Sequence, residues 1–362
     1  MAETLVEKIW TPENVIFDSE KSKIPYTMIG NNILLPPIDP EKLYDPDNKS
    51  IRHNQPIVTW LIQRFPTIGG VESIISGGKS ETVGELKLTF PTSIPYYEKV
   101  DPGIFLSFYL NMALHKEALQ VYLAGIERKN MGITMGKQTA PAWADRTGLG
   151  EIFFSELLGI EGEKFELIEN LVKNNKYHPN LFIYLDCPID ISLQRIKKRA
   201  EEDKDRQFEL EGGGELLTPD KINLAGQGTH KLIAAHKRFF SLEHHQKYLI
   251  DVVKAGIPLK YNQQGVTGEY QQALYDKQKR LPQLCEKLGL NAGIVTIKSG
   301  TVDFKDHRFR LAYVYGIKAV KCIDLINNGF KIYEDVKKGS FEVKTPYGTT
   351  LDFRSDSRIS PY

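Results

Sequence analysis

An unbroken apolar run, Leu-Phe-Ile-Tyr-Leu, occupies residues 181–185. A run of this length without polar alternation is typical of a strand that is buried on both faces of a parallel sheet. Asp186 and Pro188 end the run, and Asp190 is placed to cap a helix that begins directly after it. The pattern therefore predicts an inner strand of an α/β sheet that passes at once into a helix.

Cations alternate with apolar residues along this predicted helix. Arg195 and Arg199 lie one helical turn apart and share a face. Because open α/β sheets bind ligands at the carboxyl ends of their strands, we expect this face to meet a phosphate group. The alternative is a solvated basic helix whose charges pair with Glu201, Glu202 and Asp203. This segment alone does not separate the two hypotheses.

Apolar residues at helical spacing predict a long buried helix over residues 101–128, with Asp101 as its cap and Pro102 at its first position. His115 lies within this helix. We expect it to be a structural histidine, because such residues most often only pack.

A weak strand is predicted at residues 140–144, and the triplet Asp145-Arg146-Thr147 leads from it into an apolar helix. Arg146 therefore lies at a strand-to-helix junction and is expected to point at the same sheet edge as Arg195.

The rest of the chain carries weaker patterns. Ten of the 19 prolines lie in the first hundred residues, which predicts an extended arm over residues 1–60 because proline disfavours helices and central strands. Later patterns predict a Gly-rich lid at 203–215, a helix from Thr218-Pro219 to about Val253 interrupted at Gly226 and Gly228, a helix at 268–288, strands at 293–298 and 308–315, and a hairpin at 341–353. The predicted division is an arm (1–60), a central domain (61–255) and a C-terminal helical and β extension (256–362).

Composition limits the classes of partner and the cellular compartments that we expect for the protein. The 362 residues are 41% hydrophobic, which is enough for a packed α/β core, and a net charge of +1 gives no support to nucleic acid as a partner. No apolar run approaches the roughly 18 residues that a membrane span needs, and no cleavable presequence is visible. We therefore expect a cytosolic protein or one that is imported by another signal.

Cysteine and histidine usage predicts no metal site. Cys187, Cys285 and Cys322 are scattered without C-x-x-C spacing, so neither a disulfide framework nor a zinc site is expected. His244 and His245 are adjacent and face different directions on a helix, which argues against shared metal ligation.

Residues 73–80 read S-x-x-x-x-G-K-S, close to the phosphate-binding pattern G-x-x-x-x-G-K-[ST]. In such a loop the backbone N–H groups surround the phosphates, the lysine neutralises them and the hydroxyl holds Mg²⁺. Gly78, Lys79 and Ser80 match the pattern. Ser73 replaces the first glycine and is expected to crowd the turn. The alternative is a plain Gly-rich surface loop.

The order of these motifs resembles the deoxynucleoside kinase family. In order, the chain has a phosphate-loop-like turn, the long helix, Asp145-Arg146-Thr147 and a Leu-Asp-Cys-Pro strand end before the basic helix. The corresponding motifs of that family are a glycine-rich phosphate loop, a Glu-Arg-Ser triplet and a Leu-Asp-x-Pro strand end that leads into an Arg-rich lid helix. The resemblance covers about residues 66–255 and is most specific over residues 184–199. It implies an α/β fold with a P-loop kinase-like parallel sheet flanked by helices.

The resemblance also implies three departures from a working kinase. The family's general base is a carboxylate just after the second strand, which takes the proton from the nucleoside hydroxyl. That position falls on Thr92, which cannot act as a base at neutral pH. In that family a glutamine early in the long helix binds the nucleobase, and the matching position here is Leu106. Ser73 replaces the first glycine of the loop.

The phosphate-facing cations remain in place at Lys79, Arg146, Arg195 and Arg199. This combination is similar to one lineage, the nucleoside-kinase-like accessory subunits of mitochondrial respiratory complex I, the NADH:ubiquinone oxidoreductase. The resemblance implies a non-catalytic protein on the matrix side of the inner membrane, packed against other subunits of a large respiratory complex. It implies no required cofactor or metal, and leaves open a vestigially bound nucleotide.

Two other hypotheses stay open at this point. The chain is an active, cytoplasmic deoxynucleoside or nucleotide kinase if its base lies elsewhere. The candidate bases are then Glu72, Glu81, Glu85 and Glu98. Alternatively, it is a nucleotide-sensing binding module that uses Lys79 and Arg146 for affinity without phosphate transfer.

Overall fold

A computed structural model describes residues 16–17, 24–43, 45, 47–99, 101–203, 210, 218–256, 265–300 and 302–354. Its strands are β1 (Thr27–Ile29), β2 (Asn32–Leu34), β3 (Ile68–Glu72), β4 (Ile94–Tyr96), β5 (Ala142–Asp145), β6 (Leu181–Asp186), β7 (Gly293–Lys298), β8 (Lys331–Asp335), β9 (Ser340–Lys344) and β10 (Thr350–Arg354). Its helices are α1 (Lys49–Arg64), α2 (Lys79–Thr89), α3 (Pro102–Leu110), α4 (Met112–Tyr122), α5 (Arg128–Gly136), α6 (Gly148–Leu157), α7 (Gly162–Lys173), α8 (Ile189–Glu202), α9 (Pro219–Phe239), α10 (Leu242–Ala255), α11 (Gly268–Gln278), α12 (Leu281–Lys287) and α13 (His307–Asn327).

The central sheet of the described residues has seven strands in the order β1-β2-β7-β6-β3-β5-β4. All of its pairings are parallel except that of β1 with β2. Helices pack on both faces, so the predicted α/β class with a parallel sheet flanked by helices is confirmed. The apolar run at 181–185 is β6, an inner strand between β3 and β7, as predicted.

Side chains of β6 alternate between two hydrophobic layers, as the two-residue period of a strand requires. Leu181, Ile183 and Leu185 join a layer with α1, α2 and α13. Phe182 and Tyr184 join the opposite layer with α6, α7, α11 and α12. Burial on both faces explains why no polar residue interrupts the run.

The segment predicted as an extended arm has regular structure where it is described. The strands β1 and β2 extend the central sheet, and residues 49–60 belong to α1, so the extended conformation predicted there is wrong. Pro56 lies inside this helix at a cost of about 3 kcal/mol. Helix α1 forms because Ile57 and Leu61, with their neighbours, are almost completely buried, and each buried side chain contributes about 1.5–3 kcal/mol.

The C-terminal part of the chain contributes to the core. The predicted strand at 293–298 is β7, within the central sheet, and the predicted hairpin at 341–353 is β9 paired with β10. The predicted strand at 308–315 is wrong, because these residues lie in α13, which Asp306 caps by accepting from the Arg308 N–H. Residues 311–323 of α13 are buried on every side, so this helix has no polar face. Its apolar sequence therefore resembles that of a buried strand.

The long helix predicted at 101–128 is divided. Asp101 caps α3 as predicted, accepting hydrogen bonds from the N–H groups of Gly103 and Ile104. The chain then breaks at Asn111, whose side chain accepts from Leu114 N–H and so caps α4. The residues that follow α4 form a π-helical turn before α5.

Helix α9 begins as predicted, with Thr218 accepting from Lys221 N–H, and ends at Phe239 before α10 starts. The interruption predicted at Gly226 and Gly228 is wrong, because α9 runs through both. Gly228 has a packing role. A Cβ atom at this position would lie 1.9 Å from the Gly103 carbonyl oxygen, so the glycine allows α9 and α3 to approach closely. The predicted helix at 268–288 is α11 followed by α12. The predicted lid at 203–215 lies outside the described residues except for Asp203 and Leu210.

Buried histidines join α4, α9 and α10. His236 stacks between Phe240 and Tyr248, at ring-centroid distances of 4.1 and 4.3 Å. The Tyr248 hydroxyl lies 2.8 Å from Nδ1 of His115, which packs in the interior as expected of a structural histidine. Burial lowers the pKa of His236 to about 3 and that of His115 to about 4.

We expect acid to destabilise this stack. The folded pKa of His236 lies below the ordinary 6.5, so stability is complete above pH 6.5 and is lost as the unfolded chain takes up a proton at lower pH. At pH 5 the loss for this one residue is about 2 kcal/mol. In urea titrations at pH 7.5 and 5, wild type should lose free energy of unfolding between the two pH values. The loss in His236→Phe should be smaller by about 2 kcal/mol. The exposed His230→Gln control should behave as wild type does, and an equal loss in all three proteins would contradict the assignment.

Candidate functional site

Charged side chains gather where the parallel strands end. Glu72 ends β3, Asp145 ends β5, Asp186 ends β6, and Glu98 follows β4 by two residues. Because these strands are parallel, the four carboxylates lie at one edge of the sheet, the edge at which open α/β sheets bind ligands. Cations are interleaved with them, so the edge carries both signs of charge.

The loop between β3 and α2 contains the phosphate-loop motif, so the motif has the strand–loop–helix context of a phosphate-binding loop. Ser76 and Gly78 have φ angles of +56° and +98°, so the loop turns through two left-handed residues. Ser73 fits within the turn, donating from Oγ to the Leu185 carbonyl at 2.8 Å. A Cβ atom at Gly77 would lie 1.9 Å from this Oγ, so Gly77 accommodates the serine.

Side chains from neighbouring helices hold the loop carbonyls. Gln278 of α11 donates to the Ser73 carbonyl at 2.9 Å, and Gln271, one heptad earlier, donates to the Ile75 carbonyl at 3.0 Å. Ser192 of α8 donates to the same Ile75 carbonyl at 2.7 Å. Sequence analysis missed both glutamines, and their only signal was their seven-residue spacing on one helix face.

Lys79 and Ser80 occupy the first turn of α2. The Lys79 ammonium donates to the carbonyls of Ser73 and Ile74 at 3.1 and 3.0 Å. Burial lowers the pKa of Lys79 to about 8, and Arg146 acts in the same direction. Ser80 Oγ donates to Asp145 Oδ2 at 2.5 Å. A hydroxyl and a carboxylate in this arrangement form the donor set that P-loop proteins use for Mg²⁺.

Arg146 has a left-handed backbone, with φ +73°, which is unusual for a residue other than glycine. Its N–H donates to the Val71 carbonyl, and the N–H and Oγ1 of Thr147 donate to Glu72 Oε1 at 2.8 and 2.6 Å. The end of β3 therefore fixes the turn. The Arg146 guanidinium lies 4.7 Å over the Phe154 ring and 3.4 Å from Glu98.

Glu98 is held by two arginines. Arg128 of α5 bonds Glu98 and, at 2.7–2.8 Å, Glu151 of α6, and Arg146 approaches Glu98 from the other side. Burial alone would raise the pKa of Glu98, but Arg146 and Arg128 outweigh it and lower the pKa to about 2. Sequence analysis missed Arg128 and Glu151. Arg128 lies among other charged residues, and Glu151 lies within the predicted apolar helix, so neither had a local signal.

Thr92, predicted at the position just after a strand, instead lies before one. Thr92 precedes β4 at the opposite edge of the sheet, where its Oγ1 accepts from Gln63 at 2.8 Å, so it is not the residue that follows this strand. The first carboxylate after β4 is Glu98. Leu106, predicted in the nucleobase slot, instead packs with Leu110 and against Ala225 of α9.

The basic helix α8 begins after Pro188, and Asp190 lies in its first turn without capping it. Arg195 donates to the Gly300 carbonyl at 3.2 Å, and its guanidinium lies 5.1 Å over the Phe304 ring. A Cβ atom at Gly78 would meet this same ring at 2.0 Å, so Arg195 reaches the phosphate loop through Phe304.

The alternative prediction for this helix was that its cations pair with the acids at its end. One such pair is present, with Lys198 Nζ 3.9 Å from Glu202 Oε1. Arg199 is half-buried on α8 and has a partner within the chain. Its predicted phosphate contact stays a prediction. Within the described part of the chain, no group of three or more His, Cys, Asp and Glu side chains could hold a metal ion.

No protein-family model and no curated protein matches this sequence. Among solved structures, it is similar to deoxyadenosine kinase from M. mycoides with bound dATP, at 14% identity and a TM-score of 0.42 over 68% of this chain and 97% of that one. The same kinase with the products dCMP and a flexible dCDP gives 13% identity and 0.33, and with dCTP 15% and 0.32, each over 52% of this chain and 100% of that one. No helix in the described ranges is long and apolar enough to cross a membrane.

We expect Arg128→Met to be strongly destabilising, because it leaves Glu98 and Glu151 without their shared partner. The expected loss is about 3–5 kcal/mol in the free energy of unfolding, measured with urea at pH 7. Arg280→Met is the matched control. Arg280 pairs with Glu156 at the surface and is 52% exposed, so its loss should be below about 1 kcal/mol. Equal losses for the two variants would show that the buried cluster is not pairing charge as described.

Proposed function

We propose that the chain is a kinase-type protein that no longer transfers phosphate and that serves as an accessory subunit of mitochondrial respiratory complex I. The observation that carries the loss of transfer is the pairing of Glu98 with both Arg128 and Arg146. A general base works best when its pKa is close to the working pH. A carboxylate held near pKa 2 by two cations is a poor acceptor for a hydroxyl proton.

The phosphate-binding cations are also engaged within the chain. Lys79 bonds loop carbonyls, Arg146 lies against Glu98, and Arg195 bonds the Gly300 carbonyl. A triphosphate would have to displace several of these contacts. The proposal therefore requires no bound nucleotide or metal, and a nucleotide that did bind would be vestigial.

A structural role is supported by features outside the site. The backbones of α9 and α3 are in direct contact at Gly228 and Gly103. On α10, the side chains of Leu242 and Val253 are 71% and 79% exposed. Exposed apolar side chains of this kind mark surfaces that meet other proteins. The location in complex I, on the matrix side, rests on the sequence resemblance alone.

An active deoxynucleoside or nucleotide kinase is the second candidate, because Glu98 lies where a base is needed. It follows β4 at the carboxyl edge of the sheet, beside Arg146. Ser80 and Asp145 are also together, as a Mg²⁺ site requires. The two candidates differ in whether the arginines leave Glu98 free to accept a proton.

Transfer of the γ-phosphate from labelled ATP to a panel of nucleosides and deoxynucleotides separates the candidates. We expect the wild-type rate to equal that of Lys79→Ala and of Glu98→Gln, because a carboxylate paired with two arginines does not complete the proton transfer. Each variant should first be shown to unfold at the wild-type urea concentration. Turnover in wild type that both substitutions abolish would replace our proposal with the active kinase.

The assembly is tested in mitochondria. Inner membranes from the source cells, solubilised in mild detergent and resolved on native gels, should carry the protein in the band that stains for NADH dehydrogenase activity. The protein should leave that band only when the complex is dissociated. Its recovery solely at the mass of the free chain would contradict the proposed role, whatever the outcome of the kinase assay.

A further inference from the structure

Both loop carbonyls that Lys79 contacts have a second hydrogen-bond donor. The Lys79 ammonium donates to the buried carbonyls of Ser73 and Ile74 at 3.1 and 3.0 Å. The Ser73 carbonyl also accepts from Gln278 of α11 at 2.9 Å, and the Ile74 carbonyl also accepts from the Gly77 N–H at 3.1 Å. Lys79 can therefore leave both carbonyls without depriving either of its last hydrogen bond.

Folding does not require the hydrogen bond from Gln278. The Ser73 carbonyl would keep Lys79 as a donor if Gln278 were absent. Gln278 is 1% exposed, and its own Oε1 atom is buried with no hydrogen-bond partner in the described part of the chain. A buried acceptor without a partner opposes folding, so a gain in stability does not account for a glutamine at this position.

We propose that Gln278 is a positioning residue that keeps the Ser73 carbonyl hydrogen-bonded when Lys79 leaves it to contact the oxygens of a di- or triphosphate. Lys79 lies in the first turn of α2, so its ammonium needs only a side-chain rotation to reach a phosphate held by the loop. The inference rests on the proposed function and deepens it. That proposal allows a vestigial nucleotide, and Gln278 sets how readily Lys79 contacts one.

Gln271 provides a matched comparison on the same helix. It is as buried as Gln278, and its Oε1 atom also lacks a partner within the described ranges. It donates to the Ile75 carbonyl at 3.0 Å, which Ser192 also contacts at 2.7 Å and Lys79 does not. A general loosening of α11 would act through both glutamines, whereas the proposed role belongs to Gln278 alone.

Acetylation of the Lys79 amine by N-acetoxysuccinimide, followed by peptide mass spectrometry, measures how often Lys79 leaves the loop carbonyls. Rates are compared above about pH 9, where the amine is mostly neutral because burial lowers its pKa to about 8. Gln278→Met should slow acetylation about tenfold, because release of Lys79 then leaves the Ser73 carbonyl without a partner. Gln271→Met should react at the wild-type rate. Both variants should unfold at or above the wild-type urea concentration, since each removes an unpaired buried oxygen.

Inorganic pyrophosphate tests the contact with phosphate. At pH 7.5 and millimolar concentration it should slow acetylation of Lys79 in wild type and leave the exposed Lys254 unaffected. Gln278→Met should need about tenfold more pyrophosphate for the same protection, because the cost of releasing Lys79 is subtracted from binding.

These assays contain no phosphate acceptor, so their outcome is separate from that of the kinase assay and the native gels. Equal acetylation of Lys79 in wild type and Gln278→Met would overturn the proposal. Equal slowing by the two methionine substitutions would also overturn it, because the effect would then belong to α11 as a whole. So would a wild-type Lys79 that pyrophosphate leaves unprotected, a result that stands whether or not the variants fold.

Discussion

Buried charge has to be paired, and this constraint organises the carboxyl edge of the sheet. Glu151 and Arg128 are almost completely removed from water, and a single buried charge without a partner costs several kcal/mol. Arg128 pairs with Glu98 and Glu151. Glu72 instead accepts two hydrogen bonds from Thr147, and burial raises the pKa of its carboxyl. These ion pairs fix the turn at Arg146 and the position of α5, because a shift of either would leave a buried carboxylate without its arginine.

The same pairing decides what the site can do. A phosphate-transfer site needs cations that are free to meet phosphate and a carboxylate that is free to accept a proton. Here the loop backbone and the Ser80–Asp145 pair have the required arrangement, but the cations meet the protein's own carbonyls and carboxylates. The strand–loop–helix arrangement of a phosphate-binding site is present, and its cations are bonded within the chain; the loss of turnover that we propose rests on this combination.

The elements that sequence alone predicted are those in which local pattern and burial agree. Strand β6 was predicted because burial on both faces leaves an unbroken apolar run, and the phosphate loop because Gly78, Lys79 and Ser80 are contiguous in the sequence. Helix α1 was missed because tertiary burial outweighs the effect of Pro56. Thr92 was placed after a strand instead of before one because β4 is a three-residue edge strand with Pro95 at its centre, which gives no strand pattern. Pairing of Glu98 with Arg128 spans 30 residues and left no local signal.

The central claim is that two arginines keep Glu98 ionised and unavailable as a base, and its carboxyl pKa measures this directly. In protein labelled with ¹³C at the glutamate carboxyl carbons, the Glu98 resonance can be identified by its absence in Glu98→Gln. Our account predicts no titration of that resonance between pH 7 and pH 4, since the pKa lies near 2. A midpoint at or above the ordinary glutamate value in the folded protein would contradict the account.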